Sequence, residues 1–329
     1  MIVAYGLSEK GPEQLAGTDG NGVPPGAVWV DLFQPTPAED RAVEAFLGAS
    51  LPTREEAQEI EFSSRFYSED GAIFMTASLL TGIEEGKPML TPFTLVIAGD
   101  RIVTLRYEEL RAFKQFMARA TKASSGCTAA PDVFLGLIEA IVDRTADVLE
   151  RISGDVDRIN QQIFAGGKNA GKKSRHRGRT LEELISEVGV QGDLAAKARE
   201  SLSSLERLAQ YAGLALPNSY AKGANRARMK LAARDVRSLE DHVTFLSNKI
   251  TFLLDATLGL ISVQQNEVIR ILTVATGIFF PPTLIGTIYG MNFRFIPELD
   301  WHFGYPLAIL IMLVSAIVPY IYFRWREWL

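Results

Sequence analysis

The chain is poor in the side chains that hold soft metals or staple small folds. Among 329 residues it has one cysteine, Cys127, and three histidines, His176, His242 and His302. A single thiol excludes an internal disulfide framework and a thiolate zinc cage, and the scattered histidines lack metal-ligand spacing. Excess positive charge is missing too. The formal net charge of −5 gives no long-range attraction for nucleic acid. There is no complete Gly-x-x-x-x-Gly-Lys-Ser/Thr loop of the kind that powers a nucleotide-driven pump, since Gly166 to Lys172 has the spacing but Lys173 stands where the hydroxyl residue would follow. The opening residues, Met-Ile-Val-Ala-Tyr-Gly, lack a basic stretch followed by an apolar one, so a cleaved secretory signal is not expected. Paired carboxylates such as Asp143 and Asp147 have no nucleophile or base beside them, which reads as a solvated helix face rather than an enzyme site.

Long apolar runs are absent until about residue 270, and then two follow in succession. Ile271 to Phe293 and Phe303 to Phe323 carry no charge, and at roughly 23 and 21 residues each is long enough to cross a bilayer as a helix. A short polar loop containing Arg294, Glu298 and Asp300 joins them. Arg270 flanks the first run, and Arg324 and Arg326 close the second. Basic residues at both outer ends place both termini in the cytoplasm and the loop outside. Interfacial snorkelling of the same arginines predicts the same topology. The triplet Gly290-Met291-Asn292 therefore sits at the outer mouth of a membrane segment, with a large soluble region on one side only.

That soluble region begins as mixed α/β. Ala27–Leu32, Ala72–Ala77, Phe93–Ile97 and Arg101–Leu105 read as strands, and Gly99-Asp100 suits a tight hairpin. Pro37–Leu47 has helical apolar spacing with acidic residues early, and Thr53 with Glu56 forms a capping box. One small sheet with helices packed on it is expected over residues 1–125. Ser124-Ser125-Gly126 marks a boundary. Residues 126–225 read as an acidic helical hairpin, Asp132 to about Phe164 and Leu181 to Tyr211. Its tip is the basic, glycine-rich Gly166–Gly178 stretch, a solvated turn for which a phosphate-cradling role lacks the preceding strand.

From about Arg226 a long helix is expected to run through the first span to residue 290. Leu239, Val243, Leu246, Ile250, Leu253 and Thr257 alternate four and three apart, a helix-packing seam. Two spans in one chain cannot enclose a polar conduit, so the seam is assigned to copies of the chain around a closed axis. One face of this helix is chemically graded. Asp255 and Asn266 come first, then Ile269, Leu272, Thr273, Thr276 and Phe280, then Thr283 and Thr287, with Asn292 at the outer end. Rings of Asp255 would attract cations, rings of Ile269, Leu272 and Phe280 would form a dry constriction, and Thr283 and Asn292 would offer neutral oxygens. Such oxygens suit hydrated Mg²⁺, which gives up water reluctantly. The plainer reading of each threonine is a hydroxyl bonded back to its own helix. In a straight helix Thr283 and Asn292 point to opposite sides, so a shared axis requires a bend near Pro281-Pro282 or an unwound end.

These residues resemble the CorA family of divalent-cation transporters. The likeness rests on Tyr289 to Phe293, Ile296 to Trp301, Gly304-Tyr305-Pro306 and the basic-aromatic end Arg324 to Leu329. Upstream it extends to Glu267–Thr273, Phe280–Thr283, Pro52–Glu56, Ser63–Tyr67 and Glu69–Gly71. The resemblance implies an α+β cytoplasmic domain, long helices and two C-terminal transmembrane helices. The second span would be 304–323, joined to the first by the 291–303 loop and followed by a basic tail, 324–329. It further implies a funnel-shaped homopentameric channel in the inner membrane that takes up Mg²⁺, and with it Co²⁺ and Ni²⁺, under the control of intracellular Mg²⁺ and with no resident cofactor. Gly290, Met291 and Asn292 would form the selectivity filter. Asp255, Asn266, Ile269, Leu272, Phe280, Thr283 and Thr287 would line the pore, with Asn292, Thr283 and Asp255 meeting the ion. Two positions depart from the family pattern: Phe280 replaces a common methionine, and Thr287 a common glycine. A zinc transporter of the related ZntB branch is the alternative. A membrane-anchored scaffold is a weaker one, since an anchor needs neither two spans nor a polar stripe.

Overall fold

A computed structural model describes residues 1–9, 11–16, 22–59, 61–122, 126–168, 180–217, 219–220, 222–292 and 301–328. The basic stretch around 169–179 and the loop carboxylates Glu298 and Asp300 lie outside the described residues. The chain forms two compact units, Met1–Leu253 and Leu254–Leu329.

The first unit is built on a seven-stranded sheet. Its strands are β1 (Ile2–Ser8), β2 (Gly11–Gln14), β3 (Trp29–Phe33), β4 (Phe66–Glu69), β5 (Ala72–Thr81), β6 (Met89–Ala98) and β7 (Arg101–Arg106), ordered β2-β1-β3-β7-β6-β5-β4. All pairings are antiparallel except β3 with β7. The β6–β7 hairpin turns on Gly99-Asp100, where Gly99 takes the positive φ of 60° that a two-residue loop requires. The expected capping box exists, and a second, unexpected one accompanies it. Thr53 and Glu56 exchange bonds at the start of the short helix α2 (Arg54–Ala57), and Thr36 and Glu39 do so at α1 (Pro37–Leu47). Strands β2 and β4 escape a reading from periodicity because they are four-residue edge elements, and β1 because its half-buried residues show no clean alternation past Ala4.

Alternation sends the side chains of each central strand to two different cores. Val30, Leu32, Phe74, Val96, Val103 and Leu105 pack with Val43 of α1 on one face. The other face carries Trp29, Asp31, Leu95, Ile97 and Ile102, covered by α4 (Arg111–Ala120), α5 (Ala130–Lys168) and α6 (Leu181–Ala215). A buried polar network pins the parallel β3–β7 pair there. Arg106 forks onto Asp31 (Nη2–Oδ2 2.9 Å), Thr104 donates to Asp31 at 2.7 Å, and the Trp29 indole donates to Thr104 at 3.2 Å. Phe33 and Phe113 sandwich the guanidinium at 4.5 and 4.4 Å. Every member is satisfied, which is the condition for a buried ion pair to be tolerated. The Tyr5 ring, stacked on Trp29 at 4.5 Å, has its hydroxyl pKa raised by burial and by Asp31, against a smaller opposing effect of Arg106.

Helix α7 runs unbroken from Gly223 to Tyr289. Its seam is not left for copies of the chain, as the heptad pattern suggested. Val243, Leu246, Ile250, Leu253 and Thr257 are buried, while Leu239 is half-buried. The burying surface is this chain's own hairpin: Gly192 of α6 leaves room for Ile250, and a Cβ there would sit 3.5 Å from it. Ion pairs reinforce the packing, with Arg228 bidentate on Glu139 (2.8 Å) and Arg237 on Glu206 (3.0 Å). A seam of this width is satisfied by any apolar groove, and the α5–α6 hairpin lies closest in sequence.

The second unit contains the end of α7 and α8 (Gly304–Trp325). Both are long and apolar enough to cross a membrane, with 6% of each apolar window buried. They lie antiparallel in close contact. A Cβ on Gly277 would meet the Phe323 ring at 2.7 Å, and one on Gly286 would sit 3.7 Å from the Met312 sulfur. Small residues that let helices approach are the usual currency of packing between apolar spans.

Candidate functional site

The graded face of α7 can now be placed against α8. Positions of α7 that lose exposure along the apolar run are Val274, Ala275, Gly277, Ile278, Pro281, Pro282, Ile285 and Tyr289, which cluster on one side of the helix. This is the α8-facing side. Asn266, Ile269, Leu272, Thr276, Phe280, Thr283 and Thr287 are all exposed. At about 100° per residue they centre on the opposite side of the helix. Ile269 is 59% exposed, Leu272 66% and Phe280 62%, so the apolar members of the stripe are uncovered within one chain, like its threonines. Asp255 is exposed and continues the stripe. From Asp255 to Thr287 it extends about 48 Å along the helix. One chain thus sets these residues in a line and does not bring them together around a point. Among the described residues no group of three or more His, Cys, Asp or Glu side chains could hold a metal ion.

The threonines do bond back to their own helix. Thr273, Thr283 and Thr287 donate to the carbonyls of Ile269, Phe279 and Thr283 at 2.8, 2.7 and 2.8 Å. This does not remove them from a polar lining. A hydroxyl whose proton is committed to the backbone still presents its acceptor lone pairs. Such an oxygen is fixed as an acceptor, the polarity a cation or its bound water needs.

The end of α7 removes the geometric obstacle at Asn292. Pro281 and Pro282 cost the helix two N–H donors but do not end it. Unwinding starts instead at Gly290, whose N–H still reaches Gly286 O at 3.0 Å, while Met291 N–H makes a tighter turn to Ile288 O at 3.3 Å. Asn292 lies beyond the helix and is exposed, as is Met291. Helical periodicity therefore no longer dictates where Asn292 points. The positions missed in the sequence are those of the α8 contact. Gly277 inside an apolar run was the available signal, since a glycine there has no other evident use.

Outside the membrane-length helices, the strongest shifts of acidity follow burial. The Cys127 thiol is pushed up to about 11 by burial and by Asp132, against Arg228. The Tyr67 hydroxyl is pushed up to about 12 by burial, Glu56 and Glu69. Neither group sits on the graded face.

A chain with a soluble α+β unit and two apolar, membrane-length helices at its C-terminus, one of them carrying a polar stripe, has the build of an integral membrane transport protein. The family described as CorA-like Mg²⁺ transporter protein matches residues 25–325. The magnesium transport protein CorA of Escherichia coli (strain K12) is 33% identical over 303 residues, covering 92% of each chain. The complete structure of the CorA magnesium transporter from Methanocaldococcus jannaschii superimposes with a TM-score of 0.76 at 17% identity, covering 100% of this chain and 99% of that one. The full-length CmaX protein has a TM-score of 0.70 at 18% identity, over 99% of this chain and 97% of its own. These two likenesses are of fold. The chain belongs to the CorA family, and is accordingly a divalent-cation transporter of the Mg²⁺ type and not an enzyme.

Proposed function

We propose that this chain forms a homopentameric, funnel-shaped channel of the cell inner membrane, with both termini cytoplasmic, that admits Mg²⁺ down its electrochemical gradient. Mg²⁺ is cargo; a negative-inside potential favours entry of a divalent ion by about 4.6 kcal/mol per 100 mV. The single observation that carries this reading is the position of the graded stripe on the side of α7 opposite α8. With α8 turned to lipid, the stripe of each copy turns to the axis. Gly290, Met291 and Asn292 then ring the outer mouth, where the Asn292 carboxamide holds the hydrated ion through its waters. Thr283 and Thr287 add fixed acceptors, and Asp255 concentrates cations at the inner end. Phe280, Leu272 and Ile269 close a dry constriction. Glu298 and Asp300 would draw cations toward the outer mouth. Co²⁺ and Ni²⁺ share the octahedral preference and are expected to pass. Cytoplasmic Mg²⁺ is the expected regulator, closing the channel as it accumulates.

Ion flux into liposomes tests the reading. Mg²⁺ influx should fall as internal Mg²⁺ rises, and Asn292→Ala should lower flux by about tenfold or more while leaving thermal unfolding unchanged. Proton-driven Zn²⁺ flux without Mg²⁺ flux would instead support the zinc-transporting alternative. Intact flux in Asn292→Ala would remove Asn292 from the filter.

A further inference from the structure

The first unit contains a cleft of about 470 Å³ that the ion pathway does not use. It lies between the β4 edge of the sheet, α6 and α7, and three guanidiniums line it: Arg65, Arg199 and Arg207. Arg199 and Arg207 are eight residues apart on α6 with Ser203 between them, so all three lie on one face at successive turns. Glu200 is the one carboxylate in the lining. Among the described residues none of the three arginines forms an ion pair, whereas Arg106, Arg144, Arg228 and Arg237 all do. Burial lowers the pKa of Arg65, Glu200 raises it, and Arg207 lowers it again. Three like charges are thus gathered in a partly buried place, offset electrostatically by Glu200 beside Arg65 and by Glu240 near Arg199 but by no ion pair among the described residues, an arrangement more typical of ligand sites than of packing.

The donors in the cleft are held ready. Arg65 donates to the backbone of Glu59 and to Ser78 Oγ at 3.0 Å, with a longer bond to Gln58 O at 3.4 Å. These fix its plane and leave two of its five N–H groups uncommitted. Ser204 Oγ accepts the Ser78 N–H at 2.8 Å, which keeps its own proton free to donate. Arg199, Arg207 and Ser203 make no side-chain hydrogen bond among the described residues, and their donors face an open volume far larger than one water. Planar forks beside hydroxyl donors match phosphoryl oxygens better than they match chloride or a lone carboxylate.

We propose that this cleft binds a soluble phosphorylated anion of nucleotide size, gripped at its phosphoryl groups by Arg65, Arg199 and Arg207. Ser247 of α7 also lines the cleft, so an occupant bridges the sheet edge, α6 and the long helix. The proposal is independent of the ion-pathway reading.

Isothermal titration of the full chain in detergent, in Mg²⁺-free buffer, tests it with ATP as probe and tripolyphosphate as competitor. One ATP per chain should bind, and tripolyphosphate should displace it. Arg199→Gln/Arg207→Gln should weaken binding by about tenfold or more, the loss of two charge-assisted contacts, with the ligand-free melting temperature unchanged. Lys172→Gln/Lys173→Gln/Arg175→Gln, in the basic stretch after α5, should leave it intact. Absent binding, binding that tripolyphosphate does not displace, or binding lost in the latter variant and kept in the former would overturn the assignment.

Discussion

The two units of this chain solve opposite problems. Residues Met1–Leu253 complete most of their own packing: both faces of the sheet are covered, the Asp31–Arg106 pair in its core is satisfied, and the α7 seam is filled by α5 and α6, while Phe245 and Phe252 elsewhere on α7 stay exposed. Residues Leu254–Leu329 complete almost nothing, since two helices bury a single shared seam and leave the rest of their apolar surface bare. The same helix belongs to both. Leu246 is buried, and Ile269, some six turns on, is 59% exposed. In the proposed channel, lipid on one side and copies of the chain on the other would finish the second unit.

The contrast can be broken most severely in the first unit. Asp31→Ala strands the Arg106 charge between two aromatic rings and should cost about 3–5 kcal/mol in chemical unfolding. The paired change Asp31→Leu/Arg106→Met should restore most of that loss; failure to restore it would mean the network does more than satisfy itself. On α7, Leu246→Ala should cost about 2–5 kcal/mol, whereas Ile269→Ala should shift unfolding by under about 0.5 kcal/mol and act on flux instead. Equal stability losses at the two positions would erase the distinction between the halves of the helix.

Cys127 provides a chemical probe of the first unit's closure. With its thiol pushed up to about 11, the reactive thiolate at pH 8 should be about a hundredfold scarcer than for a free cysteine. Alkylation should be correspondingly slow and should rise about tenfold per pH unit. The folded pKa lies above the unfolded one. The thiol therefore favours the folded chain below the unfolded value, and that contribution is lost as pH rises through about 11. Rapid alkylation at pH 8 would show this region opening.

A milder pair sharpens the comparison. A Cβ on Gly136 would meet the Phe116 ring at 2.5 Å, and that ring is buried against Trp29. Gly136→Ala should therefore destabilise by about 1–3 kcal/mol. Gly277→Ala meets Phe323 at 2.7 Å, but that ring is only half-buried and can swing aside. Its strain should be offset by the roughly 1 kcal/mol helix preference of alanine over glycine. Thermal unfolding of the two variants distinguishes a rigid core from a yielding contact.

Much of this architecture was legible in the sequence where local chemistry decides it. Thr53 and Glu56 announce a helix start, Gly99-Asp100 a hairpin, and the uncharged runs two spans. The graded stripe from Asp255 to Thr287 follows from periodicity alone. What stayed hidden depends on tertiary choice. An apolar seam states that α7 packs, not on what, and the hairpin claimed it. Asp31 in a strand looks like an irregularity until Arg106, far along the chain, is beside it. The sequence offered two ways to release Asn292 from helical phase, a bend at Pro281-Pro282 or an unwound end, and only the folded helix, continuous through the prolines and unwinding at Gly290, chooses between them. The arginine cleft joins residues from four separate elements, the short helix α3 (Phe62–Arg65), β4, α6 and α7, which no spacing rule connects.

The side of α7 that meets water in the assembled protein tests the account most directly. In a Cys127→Ala background, cysteine placed singly at Thr283, Thr287 or Ile285 can be treated with a positively charged thiol reagent during Mg²⁺ flux into liposomes. The account predicts block at Thr283→Cys and Thr287→Cys, on the stripe, and none at Ile285→Cys, which faces α8. Block at Ile285→Cys with the two stripe positions spared would contradict it.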